Sequence, residues 1–264
     1  LVVAGSDSSG GAGMQRDLRV LADFGVRAVA AITAVTAQSD HEVKSVLLLP
    51  PEIVRDQIKA ALSACAVDAV KIGMLGDAAT VEAVAECLDD VRGIPIILDP
   101  VLVSSSGGVL LDEGGRNAMR ARLIPMAALV TPNIPEAAAL LGDREAESEE
   151  SMLEQALRLL GLGPRALLVK GGHGAGEHSV DILVQEGKAP IRLTAPRLRA
   201  TMRGTGCALS TAVSASMASG QPLAKSCRVA KAYVLEQMRI GLARPYSPPT
   251  PPLPAPCGRR RRAG

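Results

Sequence analysis

Aromatic residues are almost absent from this 264-residue chain. They make up 1% of it and comprise only Phe24, Tyr233 and Tyr246, with no Trp. This scarcity argues against functions that need several stacked rings, such as an aromatic nucleic-acid platform or a methyl-lysine cage. The 47% of hydrophobic residues must instead be mainly Val, Leu, Ile, Ala and Met, a composition typical of a buried parallel sheet under helices.

The chain also lacks a large net charge and a long hydrophobic run. Its net charge is +2, but four of the 29 basic residues form the terminal run Arg259 to Arg262, which leaves 25 basic against 27 acidic groups in the rest. That balance gives no electrostatic basis for binding nucleic acid or an anionic membrane. No apolar stretch reaches the roughly 18 residues of a membrane span. We therefore expect neither nucleic acid nor a membrane as a partner.

Cysteine is sparse and widely spaced. The five Cys residues lie at least twenty positions apart, and the three His residues show no ligand spacing with them. The pattern contains no C-x-x-C motif and does not indicate a zinc site or a disulfide framework. It favours a reduced, cytoplasmic protein.

Strand-like and helical patterns alternate along residues 1–243. Repeated β-α units predict a single domain, a three-layer α/β/α sandwich with a mostly parallel central sheet. Residues 180–193 predict a β-hairpin that turns at Glu186 and Gly187. The predicted strands are 1–4, 28–35, 67–72, 94–98, 128–130, 166–169, 180–184 and 190–193, and the main predicted helices are 13–24, 51–64, 78–91, 207–218 and 223–239.

Residues 244–264 differ in composition from the rest of the chain. Seven of the twelve residues from Pro245 to Pro256 are Pro, and an Arg run follows. Proline fixes φ and removes a backbone donor, so this segment cannot add a helix or a central strand. We expect a disordered Pro/Arg-rich tail, with a ligand for a proline-binding domain as the alternative.

Two Gly-rich loops lie where α/β folds bind ligands, beyond the carboxyl ends of strands. The first, at 5–13, offers small side chains and free backbone amides, although a tight turn would use the same residues. The second, RGTGC at 203–207, opens a helix whose first amides suit a phosphate or an oxyanion. A thiolate is favoured at a helix start, so Cys207 is a candidate base or nucleophile, and a buried structural Cys is the alternative.

Charged residues follow three further strands. Asp99 ends one strand, and Glu136 follows another, three positions after Asn133; hard oxygens of this kind suit Mg²⁺. Lys170 follows a third strand, where a cation can meet a phosphate. A first-turn helix acid would equally explain Glu136, and a solvated turn would explain Lys170. Together, the thiol, the anion hole, the two acids and the cation are the components of magnesium-assisted phosphoryl transfer.

The order of the motifs resembles a known family. It is similar to the hydroxymethylpyrimidine/phosphomethylpyrimidine kinases of thiamine biosynthesis, in the ribokinase-like superfamily, over residues 1–243. The resemblance implies a ribokinase-like fold and the use of ATP and Mg²⁺ to phosphorylate 4-amino-5-hydroxymethyl-2-methylpyrimidine and its monophosphate. The matching motifs are GSDSSGGAGMQRD at 5–17, TAVTAQ at 33–38, VKIGML at 70–75, LDPV at 98–101, TPNIPE at 131–136, VKGGH at 169–173 and GTGC at 204–207.

The resemblance further implies roles for individual residues. In the catalytic set, Cys207 corresponds to the base and Lys170 to a phosphate-neighbouring lysine, while the anion hole for the γ-phosphoryl group corresponds to Gly204, Thr205 and Gly206. In the substrate set, Gln38 corresponds to the amide that binds the aminopyrimidine edge. The further positions around the ring correspond to Gly5, Asp17 and Met74. The acids that organise Mg²⁺ and its waters correspond to Asp99 and Glu136.

Several features depart from the family's pattern. Arg203 stands where relatives usually have His, Arg16 stands where they have Ala, and the Pro/Arg-rich tail replaces a Gly-rich stretch near the nucleotide. Two alternative functions stay open. A pyridoxal kinase is one, because the superfamily shares the chemistry and both substrates carry a hydroxymethyl group. A catalytically weak pyrimidine-binding protein is the other, because of Arg203 and the replaced Gly-rich stretch. Many relatives form homodimers, so the implied partners are the pyrimidine, ATP and a second copy of the chain.

Overall fold

The computed structural model describes residues 1–39, 41–104, 107–172, 176–198 and 202–243. Within them, nine strands form one sheet in the order β3-β2-β1-β4-β5-β6-β7-β8-β9. The strands are β1 (Val2–Asp7), β2 (Ala30–Gln38), β3 (Val43–Leu48), β4 (Val70–Ile72), β5 (Ile96–Leu98), β6 (Leu129–Val130), β7 (Ala166–Lys170), β8 (His178–Gln185) and β9 (Ile191–Pro196).

Eight α-helices flank this sheet in the described part of the chain. The fourth continues directly into a π-helical turn at Met119–Leu123. The helices are α1 (Gly13–Asp23), α2 (Pro51–Ala64), α3 (Ala78–Leu88), α4 (Glu113–Ala118), α5 (Ile134–Leu141), α6 (Glu149–Leu160), α7 (Thr205–Ala218) and α8 (Leu223–Ala243).

The centre of the sheet is parallel, and its margins are antiparallel. β2, β1, β4, β5, β6 and β7 pair in parallel, whereas β3 runs against β2, and β8 and β9 form an antiparallel hairpin beside β7. β2 and β4 lie on opposite sides of β1, so the strand order changes direction at β1. The loops at the carboxyl ends of these strands therefore gather around a topological switch point. The mostly parallel sheet predicted from the sequence is confirmed.

Alternate residues of the central strands face two separate hydrophobic layers. Ile96 and Leu98 pack in the layer formed with α2 to α6, whereas Ile97 packs in the layer with α7 and α8. Val3 and Val2 divide in the same way, the latter packing with Met14 of α1. This period of two is that of a strand buried on both faces, and it produces the predicted three-layer sandwich.

The structure corrects several element boundaries and adds one strand. β4 and β5 have three residues each, where longer strands were predicted at 67–72 and 94–98. β3 was not predicted, because Val43–Leu48 is an edge strand without a buried face. In the described residues no helix is long and apolar enough to cross a membrane. The predicted disordered tail, 244–264, and His173 lie outside the described residues.

Candidate active site

The start of α7 forms a glycine turn at the carboxyl edge of the sheet, the candidate anion-binding turn. Gly204 is its N-cap and has a left-handed φ of 69°. A Cβ there would lie 2.2 Å from the carbonyl oxygen of Gly11, so only glycine allows the two loops to pack this closely. The first intrahelical bond runs from the Ala208 amide to the Gly204 carbonyl at 2.8 Å, and the amides of Thr205, Gly206 and Cys207 precede it. Such amides, at the positive end of a helix, suit an anion.

A buried charge cluster lies against this turn. Lys170 Nζ donates to Asp99 Oδ1 at 2.8 Å and lies 3.9 Å from Glu136 Oε2. A Cβ at Gly206 would be 3.0 Å from that ammonium, so the cluster touches the first turn of α7. The structure therefore brings together the lysine, both acids and the glycine turn that the sequence predicted separately.

The surroundings of Asp99 and Glu136 give the two carboxylates different properties. Burial opposes ionisation of Asp99, but the charges of Lys170 and Lys71 and the hydrogen bonds from Lys170 and Thr131 together outweigh it and lower the pKa of Asp99. Burial raises the pKa of Glu136 to about 7, and the attraction of Lys170 only partly offsets that effect. Glu136 also forms a capping box with Asn133: the backbone amide of Asn133 donates to Glu136 Oε2 at 2.8 Å. The ordinary role of a first-turn helix acid is therefore present as well.

The donor chemistry of Asp99 and Glu136 fits Mg²⁺. Asp99 Oδ2 would lie 3.8 Å from a Cβ at Gly206, and Glu136 Oε2 lies 3.9 Å from the Lys170 ammonium beside that turn. Mg²⁺ is usually held by one or two carboxylates together with water and substrate phosphates. Among the described residues no group of three or more metal-binding side chains is present, so a cage built from protein ligands alone is not found there. Two carboxylates beside a phosphate site suit the water-rich magnesium geometry.

Cys207 lies in the first turn of α7, where burial controls its chemistry. Burial raises the pKa of the thiol to about 11, although Lys71 and the Gly13 amide act in the opposite direction. This direction is opposite to the one that a helix start alone would favour.

Beneath the site, Asp17 forms a buried ion pair that the sequence did not reveal. Lys71 Nζ donates to Asp17 Oδ2 at 2.7 Å, and Thr211 donates its hydroxyl to Asp17 Oδ1 at 2.7 Å. Burial alone would lower the pKa of Lys71, but the charge and hydrogen bond of Asp17, together with Cys207 and Asp99, reverse this and raise the pKa of Lys71 to about 12. With a side-chain exposure of 0%, Asp17 lies below the pocket surface and joins α1 to β4 and α7. A lysine inside an otherwise apolar strand was the signal for such a partner.

The other predicted substrate residues are Gly5, Met74 and Gln38. A Cβ at Gly5 would lie 2.9 Å from Met74 Sδ, so the structure brings these two residues into contact. Gln38 ends β2 and borders an open cavity of about 200 Å³, together with Ser8 and Lys44. Ser8 Oγ bridges the Gln38 backbone, accepting from its amide at 2.9 Å and donating to its carbonyl at 2.8 Å.

Arg203 and Arg16, two of the departures from the family's pattern, occupy different positions. Arg203 reaches from the start of α7 to the loop after β1, where its guanidinium lies 3.3 Å from Asp7 Oδ2. Arg16 is 8% exposed on α1; its guanidinium donates to Met202 Sδ at 3.1 Å, and its Nε has no hydrogen-bond partner.

The fold and the site together place the chain in the ribokinase-like class, in which a glycine turn, the Lys170–Asp99 pair and the Cys207 thiol lie at one edge of a three-layer sandwich. The chain belongs to the phosphomethylpyrimidine kinase family, whose profile matches residues 7–246. This confirms the resemblance seen in the motifs.

Curated relatives share the sequence over most of the domain. The chain is 42% identical over 242 residues to the hydroxymethylpyrimidine/phosphomethylpyrimidine kinase of Streptomyces coelicolor, covering 91% of this chain and 88% of that protein. It is 43% identical over 251 residues to the thiamine biosynthesis bifunctional protein ThiED of Geobacter sulfurreducens, covering 94% of this chain and 51% of that one. The chain thus spans about half the length of its bifunctional relatives.

Solved structures share the fold. The phosphomethylpyrimidine kinase of Clostridium difficile 630 superposes with a TM-score of 0.78 at 35% identity, over 89% of this chain and 97% of that one. The pyridoxal kinase of Staphylococcus aureus in complex with ADP gives a TM-score of 0.83 at 31% identity, over 90% and 86% of the two chains.

Proposed function

We propose that this chain transfers the γ-phosphoryl group of ATP to 4-amino-5-hydroxymethyl-2-methylpyrimidine and then phosphorylates the resulting monophosphate, in thiamine biosynthesis. The observation that carries the proposal is the contact between Lys170 and the Gly206 turn. A buried cation meets the positive end of a helix there, and two acids flank that cation. Such an arrangement is suited to a transferring phosphoryl group and its metal.

In the first step, the substrate hydroxyl oxygen attacks the γ-phosphorus. A new O–P bond forms, the bond from γ-phosphorus to the β,γ-bridging oxygen breaks, and ADP leaves with that electron pair. The amides of Thr205, Gly206 and Cys207 stabilise the charge on the equatorial oxygens, and Lys170 supplements them. The Cys207 thiol first releases its proton to solvent, and the resulting thiolate then accepts the hydroxyl proton.

Asp99 and Glu136 would hold Mg²⁺ through their carboxylates and through water. When bound, the ion neutralises charge on the β- and γ-phosphates. The carboxylates also keep Lys170 charged and in place, since Asp99 accepts its hydrogen bond and Glu136 lies within 3.9 Å.

Recognition of the pyrimidine is assigned to the side of the site with Gln38 and Met74. A carboxamide carries both a donor and an acceptor, and so matches the edge of an aminopyrimidine. Met74 provides a polarisable contact for the ring face, and Gly5 leaves room for it. No aromatic residue is needed, which agrees with the composition of the chain.

Pyridoxal phosphorylation is the second candidate. It is favoured by the similarity to pyridoxal kinase structures, one of them in complex with both AMP-PCP and pyridoxal, at a TM-score of 0.81 and 30% identity. Both substrates present a hydroxymethyl group on a heteroaromatic ring, so the same phosphate site serves either. The Gln38 edge favours the aminopyrimidine.

An assay of ADP release with each alcohol in turn tests these proposals. We expect a kcat/KM for the hydroxymethylpyrimidine well above that for pyridoxal, and mass spectrometry should show first the monophosphate and then the diphosphate. Higher efficiency with pyridoxal would replace the proposed substrate by the second candidate. Calorimetric binding of the pyrimidine without ADP release would identify a catalytically weak binding protein.

Location and assembly complete the proposal. The four cysteines in the described residues, at 65, 87, 207 and 227, are all free, which supports action in the cytoplasm. A homodimer is supported by the exposed apolar residues of the β2 and β3 margin, where Leu47 is 66% exposed and Val35 45%. Light scattering of the purified chain would test the dimer.

A further inference from the structure

Arg203 connects three segments of the chain. Its Nη1 donates to Ser9 Oγ at 3.0 Å and to the Ser39 carbonyl at 2.7 Å, and its Nη2 lies 3.3 Å from Asp7 Oδ2. The Arg203 side chain is 15% exposed; its bonds to Ser9 and Ser39 lie at the surface, and the bond to Asp7 is partly buried. One guanidinium therefore joins the turn before α7 to the loop after β1 and to the end of β2.

Its partner Asp7 already shapes the loop after β1. Asp7 Oδ1 accepts from the Ser9 amide at 2.9 Å and from the Ser9 hydroxyl at 2.8 Å, while Oδ2 accepts from the Ala12 amide at 2.9 Å. Arg203 thus binds the same carboxylate that folds this loop, and a displacement of one disturbs the other.

The same two segments also meet through their backbones. The tight approach of Gly204 to the Gly11 carbonyl leaves no space for a side chain, and a Cβ at Gly11 would lie 3.6 Å from Arg203 Cβ. The loop after β1 is bonded onward to Gln38 through Ser8. An unbroken set of short contacts therefore runs from the anion-binding turn to the cavity beside Gln38.

We propose that Arg203 is a positioning residue that fixes the distance between the bound pyrimidine and the anion-binding turn. This inference rests on the proposed function. A planar guanidinium serves several acceptors at once in a fixed geometry, whereas the lysine ammonium is a point charge on a flexible stem. The bridge, and not the charge alone, keeps the substrate hydroxyl oxygen in line with the γ-phosphorus.

The expected effect of Arg203→Ala follows from alignment. Misplacement by an ångström can cost about 10²-fold in rate, so we expect kcat/KM for the pyrimidine to fall by about 10- to 10²-fold. KM for ATP should change much less than KM for the pyrimidine. With the hydroxyl oxygen misaligned, water competes, so more than one ADP should form per pyrimidine phosphorylated.

The test compares wild type, Arg203→Ala, Arg203→Lys and the control Arg192→Ala, which removes an exposed arginine bonded to Glu149. Each variant is measured for melting temperature, the two KM values and the ratio of ADP to phosphorylated pyrimidine. We expect uncoupling in both Arg203 variants and none in Arg192→Ala. Added guanidinium, at a concentration that does not denature the protein, should partly restore coupling in Arg203→Ala.

Hydrogen exchange provides a readout that does not depend on turnover. The amides of Ser9 and Ala12 should exchange faster in both Arg203 variants than in wild type and Arg192→Ala. Wild-type kinetics in Arg203→Lys, or unchanged coupling and exchange in folded Arg203→Ala, would overturn the inference. A wild type that transfers no phosphate would refute the proposed function, while exchange would still decide whether Arg203 holds the loop.

Discussion

Lys71 Nζ and Asp17 Oδ2 lie 2.7 Å apart, and the two side chains are 1% and 0% exposed. They form an ion pair in the interior, directly below the turn that carries Cys207. Taking two charges out of water is costly, and good geometry with further hydrogen bonds is needed to offset that cost. The hydroxyl of Thr211 supplies one such bond.

Asp17→Asn should therefore strongly destabilise the fold, because it leaves the Lys71 ammonium buried without a counter-charge. We expect a loss of about 3–5 kcal/mol in the free energy of unfolding, measured by urea titration. The control Arg55→Ala breaks an exposed pair with Glu86 and should leave the urea midpoint almost unchanged. A similar small effect in Asp17→Asn would show that the buried pair does not hold α1 in place.

Cys207→Ala should lower kcat by roughly 10²- to 10⁴-fold, the usual contribution of a positioned general base. The variant removes the proposed proton acceptor and leaves the backbone amides of α7 in place. Cys65→Ala is the matched control, since Cys65 is a free, half-buried thiol just after α2. Steady-state ADP release measures both, and full activity in Cys207→Ala would rule out the base.

The pH dependence of the wild type should reveal the same thiol. Burial raises the pKa of Cys207 to about 11, so the thiolate is a small fraction at pH 7. As long as the pH stays below the pKa, each unit of increase in pH raises that fraction about tenfold. If the thiolate accepts the proton, kcat/KM rises with pH from 7 toward 10. The profile of Cys207→Ala should be flat over that range. Parallel profiles in the two proteins would assign the rise to another group.

Gly204→Ala should disrupt the anion-binding turn for two reasons, its φ of 69° and the 2.2 Å approach of a Cβ to the Gly11 carbonyl. Gly220→Ala separates the two effects, because Gly220 has a φ of 78° and an open surrounding. We expect about 1–2 kcal/mol of destabilisation in Gly220→Ala from the left-handed backbone alone, with activity retained. Gly204→Ala should lose more stability and nearly all turnover. Equal losses in the two variants would show that the backbone contact is unimportant.

Arg16→Met should stabilise the protein. The Arg16 guanidinium is buried, its Nε lacks a partner, and burial lowers the pKa of Arg16. A methionine keeps an unbranched apolar stem beside Met202 and removes the unsatisfied donor, which should contribute about 1 kcal/mol or more. Thermal unfolding would show a raised Tm. A lower Tm would mean that Arg16 stabilises the fold through its charge.

Local signals predicted most of the fold. α2 was predicted at its observed bounds, because Pro51 marks the first turn and apolar residues recur at helical spacing. The short strand β6 was found from its apolar run. The edge strand β3 was not predicted, because it lacks the alternation of apolar and polar residues that a buried face imposes.

The candidate site was predictable residue by residue but not as a network. Lys170, Asp99 and Gly206 each follow or begin an element at one edge of the sheet, and topology brings such positions together. Nothing local indicates that Arg203 reaches Asp7 or that Lys71 meets Asp17, because those contacts depend on long-range packing. The raised pKa of Cys207 likewise depends on burial, which its position at a helix start does not reveal.

The contacts that join α1 to α7 determine how late the molecule can complete its fold during synthesis. Asp17 contacts Thr211, and Gly11 contacts Gly204; in each pair the second residue is synthesised almost two hundred residues after the first. Before α7 has left the ribosome, the first strands of the chain can pair. At that stage α1 lacks its contacts with α7, and the candidate phosphate site is incomplete. Contacts of such long sequence separation slow folding. The proposed active site therefore forms late, when α7 completes its layer, and not gradually as the sheet grows.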